Sequence, residues 1–302
     1  MKIFTGYRSE IAASKYKSLA QVAGIMLVLF IFQYTGYALD KVLYPFWRRG
    51  ILSATGLIVA AKLLGILTVF LAVVLGMKLF EKKRLTRAAF AALGLTRKRW
   101  FVTFGGGFGI GLLLTGVKLG ILILRGEFHI LGLYHHVNYH VLVPEWIDLF
   151  VLVSLIVVCE EVLFRGLILQ SLEPAWGTGF ALALSAIAFG SYHGYYLSKD
   201  LISEILFPVL HALVGGFLMG GAYIATRALW LPMGIHFGWN IINVLVFGGE
   251  STYGVYSVFP HTSQYTVEGD YICLIPTALT AMALIYYSMR LRRWNDPVGR
   301  IH

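Results

Sequence analysis

Apolar stretches about as long as a membrane is thick recur along this whole sequence. A hydrocarbon core about 30 Å across needs about 20 apolar residues in a helix. Eight runs of that order stand out, approximately Leu19 to Leu39, Leu52 to Leu79, Phe101 to Leu124, Ile147 to Leu172, Gly177 to Leu197, Ile205 to Thr226, Leu231 to Phe247 and Tyr271 to Met289. Backbone in lipid must satisfy its own hydrogen bonds, so such runs become helices. The expected fold class is all-α, a polytopic integral membrane helix bundle of about eight transmembrane helices. Composition agrees, because 58% apolar and 13% charged residues leave too little polar surface for a water-facing globule. Soluble enzymes and disordered scaffolds are set aside on that ground.

The formal charge of +10 has to be located before it is interpreted. With alternating spans and a cytoplasmic amino terminus, seventeen of the 25 Lys and Arg fall in inner regions and five in outer ones, the other three lying inside apolar runs. That bias obeys the positive-inside rule and predicts both termini in the cytoplasm, with the plasma membrane as the expected location. The basic excess is thus topology, and no nucleic-acid partner is expected. No small-residue cleavage site follows the first apolar run, so it reads as a retained anchor. The amphipathic stretch Phe80 to Trp100, with Lys82, Lys83, Arg84 and Arg87, is expected on the cytoplasmic leaflet in contact with anionic membrane lipids. Cys159 and Cys273 lie inside apolar runs and read as core residues rather than a disulfide.

Glycines crowd two of the runs: Gly105, Gly106, Gly107, Gly109 and Gly111 in the third, and Gly215, Gly216, Gly220 and Gly221 in the sixth. Small residues let helix backbones approach closely in lipid, so both clusters predict helix packing. Neither has the strand and the Lys-Ser or Lys-Thr that a phosphate-binding loop requires.

Glu160 and Glu161 are the acids set deep within an apolar run, with Arg165 beside them. Each such charge costs about 2.5–3.5 kcal/mol on insertion scales unless it is paired and turned inward. Glu161 and Arg165 are four apart and share a helix face, where an ion pair offsets much of that cost. Glu160 points about 100° away, free for another role. The next run carries Phe189 and His193, again four apart, and the seventh His236 and Asn240. A bundle can aim all three pairs at one cavity. Carboxylate, imidazole and carboxamide together suit activation of water and stabilisation of an oxyanion, directly or around a divalent metal. The same charges suit an ion-coupled transporter, and a non-catalytic scaffold can keep them for stability, so the residues admit three classes of function. His211, alone in the sixth run, reads as a packing residue.

Glu160-Glu161-Val162-Leu163-Phe164-Arg165, Phe189 to His193 and His236 to Asn240 together resemble the Glu-Glu-x-x-x-Arg, Phe-x-x-x-His and His-x-x-x-Asn motifs of the CPBP family. That family groups type II CAAX prenyl endopeptidases with bacteriocin-processing and immunity-type (Abi) membrane proteases. The order and spacing agree, over about residues 147 to 247. The resemblance implies an intramembrane endopeptidase acting on a membrane-associated peptide or protein. Carried over by position, Glu160 would activate water, His193 and His236 would complete the centre, Asn240 would help bind the oxyanion, and Glu161 with Arg165 would hold the site, Phe189 supporting it. The family is disputed between glutamate- and metal-dependent chemistry, so a divalent metal such as zinc, with Glu160, His193 and His236 as candidate ligands, stays open. The chain has no His-Glu-x-x-His, no Gly-x-Ser-x-Gly and no pair of intramembrane aspartates, which removes the competing protease chemistries.

Three regions follow: membrane helices and a basic loop over 1–146, the catalytic core over 147–247, and an outer loop, last helix and basic tail over 248–302. The loop with His129, His135, His136 and His140, interleaved with Tyr134, Tyr139 and Trp146, reads as an interfacial anchor or re-entrant cap, with surface metal binding as the alternative.

Overall fold

The computed structural model describes residues 14–31, 99–126, 129–133, 150–151, 153–193, 202–247, 256–259 and 272–295, with isolated positions between 42 and 96. In chain order the elements are α1 (Ser14–Ile31), α2 (Trp100–Leu124), β1 (His129–Leu133), α3 (153–161), a π-helical turn (Val162–Leu169), α4 (Gln170–Trp176), α5 (Thr178–His193), α6 (Ile202–Thr226), α7 (Trp230–Phe247), β2 (Tyr256–Phe259) and α8 (Leu274–Asn295). The run Leu52 to Leu79, the amphipathic Phe80 to Trp100 stretch and the loop histidines His135, His136 and His140 lie, apart from scattered positions, outside the described residues.

The molecule is helical, as the apolar runs predict. Among the described residues, three helices are long and apolar enough to cross a membrane: Ser14–Ile31, Trp100–Leu124 and Pro208–Thr226. The others differ for a physical reason. Helix α5 has 16 residues, about 24 Å at 1.5 Å per residue, and α7 gives up apolar positions to His236, Asn240 and Asn243. The helices that fall short therefore include those that carry the polar motifs.

The helical class holds, and two details go beyond what the runs predict. One is a two-stranded antiparallel ribbon, in which His129 of β1 stands opposite Phe259 of β2 and Ile130 opposite Val258. The fourth run is also not one regular helix. It changes at Val162 into eight π-helical residues, all buried, and resumes as α-helix at Gln170. Such turns are rare and concentrate at functional sites. Here the turn is the centre of the core: Leu163, Phe164, Ile168 and Leu169 have no exposed surface, and Val22, Ile25 and Leu29 of α1 join the same cluster. At Gly177 the backbone adopts φ of 78°, a conformation that glycine takes without a Cβ penalty, and the chain reverses from α4 into α5.

Helices α2 and α7 meet backbone to backbone. A Cβ added at Gly107 or Gly111 would strike the α7 main chain at Leu231 and Ile235, and one at Gly234 or Gly238 would strike the α2 main chain at Phe104 and Phe108. The two helices thus carry reciprocal Gly-x-x-x-Gly faces. Gly105, Gly106 and Gly109 have nothing near, so only part of the glycine cluster serves packing. His236 lies two residues from both Gly234 and Gly238, about 200° around the helix, and the glycine contact therefore turns it inward.

Replacing Gly234 with Val should lower the thermal midpoint in detergent sharply, at the upper end of the 1–3 kcal/mol typical of overpacking, about 3 kcal/mol, because rigid main chain blocks the new methyls. Gly106→Ala should hold or raise the midpoint, by up to about 1 kcal/mol. Equal midpoints for both variants would refute the α2–α7 register.

Candidate active site

Glu160 and Glu161 close α3 and lead into the π turn, and both are buried, Glu161 and Arg165 completely. The guanidinium Nη1 of Arg165 donates to Oε1 of Glu161 at 3.0 Å, and Nη2 donates to the carbonyl of Gly216 on α6 at 3.2 Å. The ring of Phe189 lies under the guanidinium, 4.6 Å from its centre, and supplies a face that attracts a cation. The ion pair expected from spacing is present, and three helical elements hold it. Gly216 has its own reason to stand there: a Cβ would come within 2.9 Å of Ala186 Cα. Ser185 of α5 donates to the Phe164 carbonyl at 2.8 Å, fastening the π turn to the next helix.

Oε1 of Glu161 has a second partner. His236 Nδ1 lies 2.9 Å away, and since an ionised carboxylate only accepts, the ring's proton is on that nitrogen. The remaining nitrogen, Nε2, faces Oε2 of Glu160 at 3.6 Å. That separation is too long for a hydrogen bond, so Glu160 keeps its acceptor capacity. Oε2 of Glu160, Oε2 of Glu161 and Nε of Arg165 are buried without a hydrogen-bond partner, an unusual concentration of unsatisfied polar atoms.

His193 ends α5. Its Nδ1 meets the Phe189 carbonyl one turn back on the same helix at 2.8 Å. A carbonyl only accepts, so this ring also carries its proton on Nδ1 and turns an acceptor Nε2 outward. The Phe189 ring touches both imidazoles, at 4.4 Å from His193 and 5.9 Å from His236 between centroids.

A cavity of about 220 Å³ joins the two histidines. Its walls include His193 and Phe189 from α5, His236 and Asn240 from α7, and His211 with Gly215 from α6. Glu160 and Glu161 stand behind His236 rather than on the wall. The sequence motifs thus divide into a buried charged layer, Glu160, Glu161 and Arg165, and a cavity layer, His193, His236 and Asn240, joined by His236. His211 packs its ring edge against Trp239 at 4.9 Å, in keeping with a packing role, and it also borders the cavity.

Glu160, His193 and His236 do not gather as a metal-ligand set. Among the described residues, no three His, Cys, Asp or Glu side chains could hold one ion. The donor set as placed does not fit a three-ligand metal centre.

One end of the site is tied by a separate polar cluster. Arg227, which precedes α7, grips Glu173 of α4 through Nη1 at 2.6 Å and Nη2 at 2.8 Å, and Thr178 Oγ1 at the start of α5 donates to the same carboxylate at 2.7 Å. Burial opposes the Arg227 charge, yet the bonds and charge of Glu173 outweigh it and hold its pKa above the ordinary arginine value. Trp230 Nε1 donates to the Thr96 carbonyl at 2.6 Å, the Leu229 amide to Gly94 at 2.9 Å and Gln170 Nε2 to Leu93 at 3.0 Å. No motif flagged the 93–96 segment, whose role depends on contacts far away in sequence.

Residues 142–242 match the family model described as type II CAAX prenyl endopeptidase Rce1-like, a span that contains all three motifs and bears out the CPBP resemblance. The matched family is one of proteases. No curated protein matches the chain.

Arg165→Ala leaves Glu161 buried and unpaired and should cost about 3–5 kcal/mol, the range for breaking a buried pair. Glu173→Ala removes a pair whose arginine is 43% exposed and should cost no more than about 1 kcal/mol. Chemical denaturation of the two variants in matched micelles separates these values, and comparable losses would contradict the division into a buried and a peripheral cluster.

Proposed function

We propose that the chain is an intramembrane endopeptidase that hydrolyses a peptide bond in a membrane-associated polypeptide, with residues 147–247 as its catalytic core. The observation that carries the reading is the shared Oε1 of Glu161, which takes Arg165 on one side and His236 on the other. That arrangement aims His236 Nε2 at Glu160 beside a cavity that also offers His193 and Asn240. The family match over the same residues supports protease chemistry.

In this reading a water enters beside His236 and is held between its Nε2 and the Glu160 carboxylate. Glu160 takes one proton as the oxygen attacks the scissile carbonyl. The carboxamide of Asn240 donates to the developing oxyanion. The protonated Glu160 then gives that proton to the leaving nitrogen as the C–N bond breaks, and the new carboxylic acid passes the water's second proton to the amine, so that a carboxylate and an ammonium leave. Glu161 and Arg165 fix the imidazole's orientation and do not touch the reacting atoms. His193 presents its Nε2 to the substrate from the opposite helix. Peptides with a prenylated CAAX tail are the first substrates to try, since the matched family is named for them.

The bundle is proposed to have about eight spans with both termini in the cytoplasm of a plasma-membrane protein, supported by the charge bias along the sequence.

Glu160→Gln changes charge while nearly preserving shape. The variant, reconstituted in liposomes with prenylated and non-prenylated membrane-tethered peptides, should keep its thermal midpoint and lose about 10²-fold or more of the cleavage rate, the contribution expected of a general base. Asn240→Ala should lose on the order of 10²-fold with little change in KM. Full cleavage by the Glu160 variant would overturn the assignment of the base.

A further inference from the structure

Adjacent glycines of α6 sit in opposite surroundings. At Gly216 a Cβ would press on the Ala186 backbone, and at Gly220 it would meet the Leu182 side chain. At Gly215 it would meet nothing within 4 Å, although Gly215 is buried. The open space is the cavity, which Gly215 lines. Packing does not ask for glycine here, and a helix-interior glycine costs about 1 kcal/mol relative to alanine. Protein interiors otherwise close such space. Pro208, Ala212, Gly215 and Met219 line the cavity together at helical spacing, across from the α7 residues His236 and Asn240. On α6 the cavity wall is apolar apart from His211, and the α7 wall carries the proposed chemistry.

We propose that Gly215 is a specificity-determining residue, the floor of a subsite on α6 that admits an uncharged, bulky side chain of the bound polypeptide next to the scissile bond and sets its upper size. The proposal rests on the endopeptidase reading of this cavity. A peptide whose carbonyl addresses His236 and Asn240 has one neighbouring side chain on the α6 side, where a methyl or isobutyl group grown from position 215 would compete for the same volume.

The test uses the full chain in nanodiscs and a set of N-palmitoylated decapeptides that differ at one position, bearing Gly, Ala, Leu or Phe, with that position scanned along the peptide. Binding is measured calorimetrically with Glu160→Gln alone and combined with Gly215→Ala or Gly215→Leu. Cleavage products of the Glu160-containing forms are mapped by mass spectrometry. Gly215→Leu should weaken binding of the Leu and Phe peptides relative to the Gly peptide by on the order of tenfold or more, and shift the cleavage profile toward small side chains. Gly215→Ala should fall between, with a thermal midpoint no lower than its parent's. If Gly215→Leu folds poorly, the Gly215→Ala shift, in the same direction, decides. Equal binding of all four peptides by every variant, or uniform weakening of all four, would overturn the subsite. Size-selective binding with no cleavage by the unsubstituted protein would instead defeat the endopeptidase reading and leave the subsite standing. Cleavage with an unchanged size profile would do the reverse.

Discussion

A single carboxylate oxygen, Oε1 of Glu161, holds the centre of this molecule together. It accepts from Arg165 on the π turn and from His236 on α7, while the same guanidinium reaches the α6 main chain and lies on an α5 ring. Four helical elements thus depend on one acceptor. Away from water an unpaired carboxylate is so costly that the surroundings must supply donors or the fold must change. The donors here come from elements distant in sequence. The energetic demand of the buried charge therefore doubles as a specification of tertiary structure.

Lipid provides little hydrophobic drive for one helix to seek another, so the remaining precision has to come from shape. The reciprocal glycine faces of α2 and α7 supply it, because main chain against main chain leaves almost no freedom of rotation. That rotation fixes where His236 points. The π turn plays the matching part on the other side: it follows Glu161 directly, is buried all round, and is tied to α5 through Ser185. Close packing in two places thus meets in the 2.9 Å contact between His236 and Glu161.

How much of this was legible in the sequence follows from which terms are local. The membrane class, the helical form and the Glu161–Arg165 pair depend on composition and on i, i+4 spacing, and all could be read. The motif residues Glu160, His193, His236 and Asn240 were visible as polar groups misplaced in apolar runs. Their division into a charged layer and a cavity layer was not, because it depends on which face each helix turns to its neighbours. The π turn has no marker in Val162 to Leu169 beyond being wholly apolar apart from Arg165 and Gly166. His211 and Gly215 gained meaning only once α5 and α7 stood opposite them. The glycine cluster of α2 was read as a unit, yet only Gly107 and Gly111 touch α7, since packing selects one helix face and sequence crowding does not. The β1–β2 ribbon joins segments 130 residues apart in places, as His129 and Phe259 are, and nothing local announces such a pairing.

The two imidazoles share one tautomer but not one environment, and this divides the work in the proposed reaction. Both have Nδ1 tied to an acceptor and Nε2 released. The acceptor is a carboxylate for His236 and a neutral main-chain carbonyl for His193. The His236 ring stands between Glu161 and Glu160. His193 meets the main chain of its own helix and the edge of the Tyr192 ring. The α7 ring is thus placed beside the proposed base, and the α5 ring is placed to orient the substrate. The wall that separates them is the Phe189 ring, which contacts both histidines and the guanidinium. Its polarisable face stabilises cations without offering a proton, so it can hold three polar groups in register while keeping the two imidazoles chemically distinct.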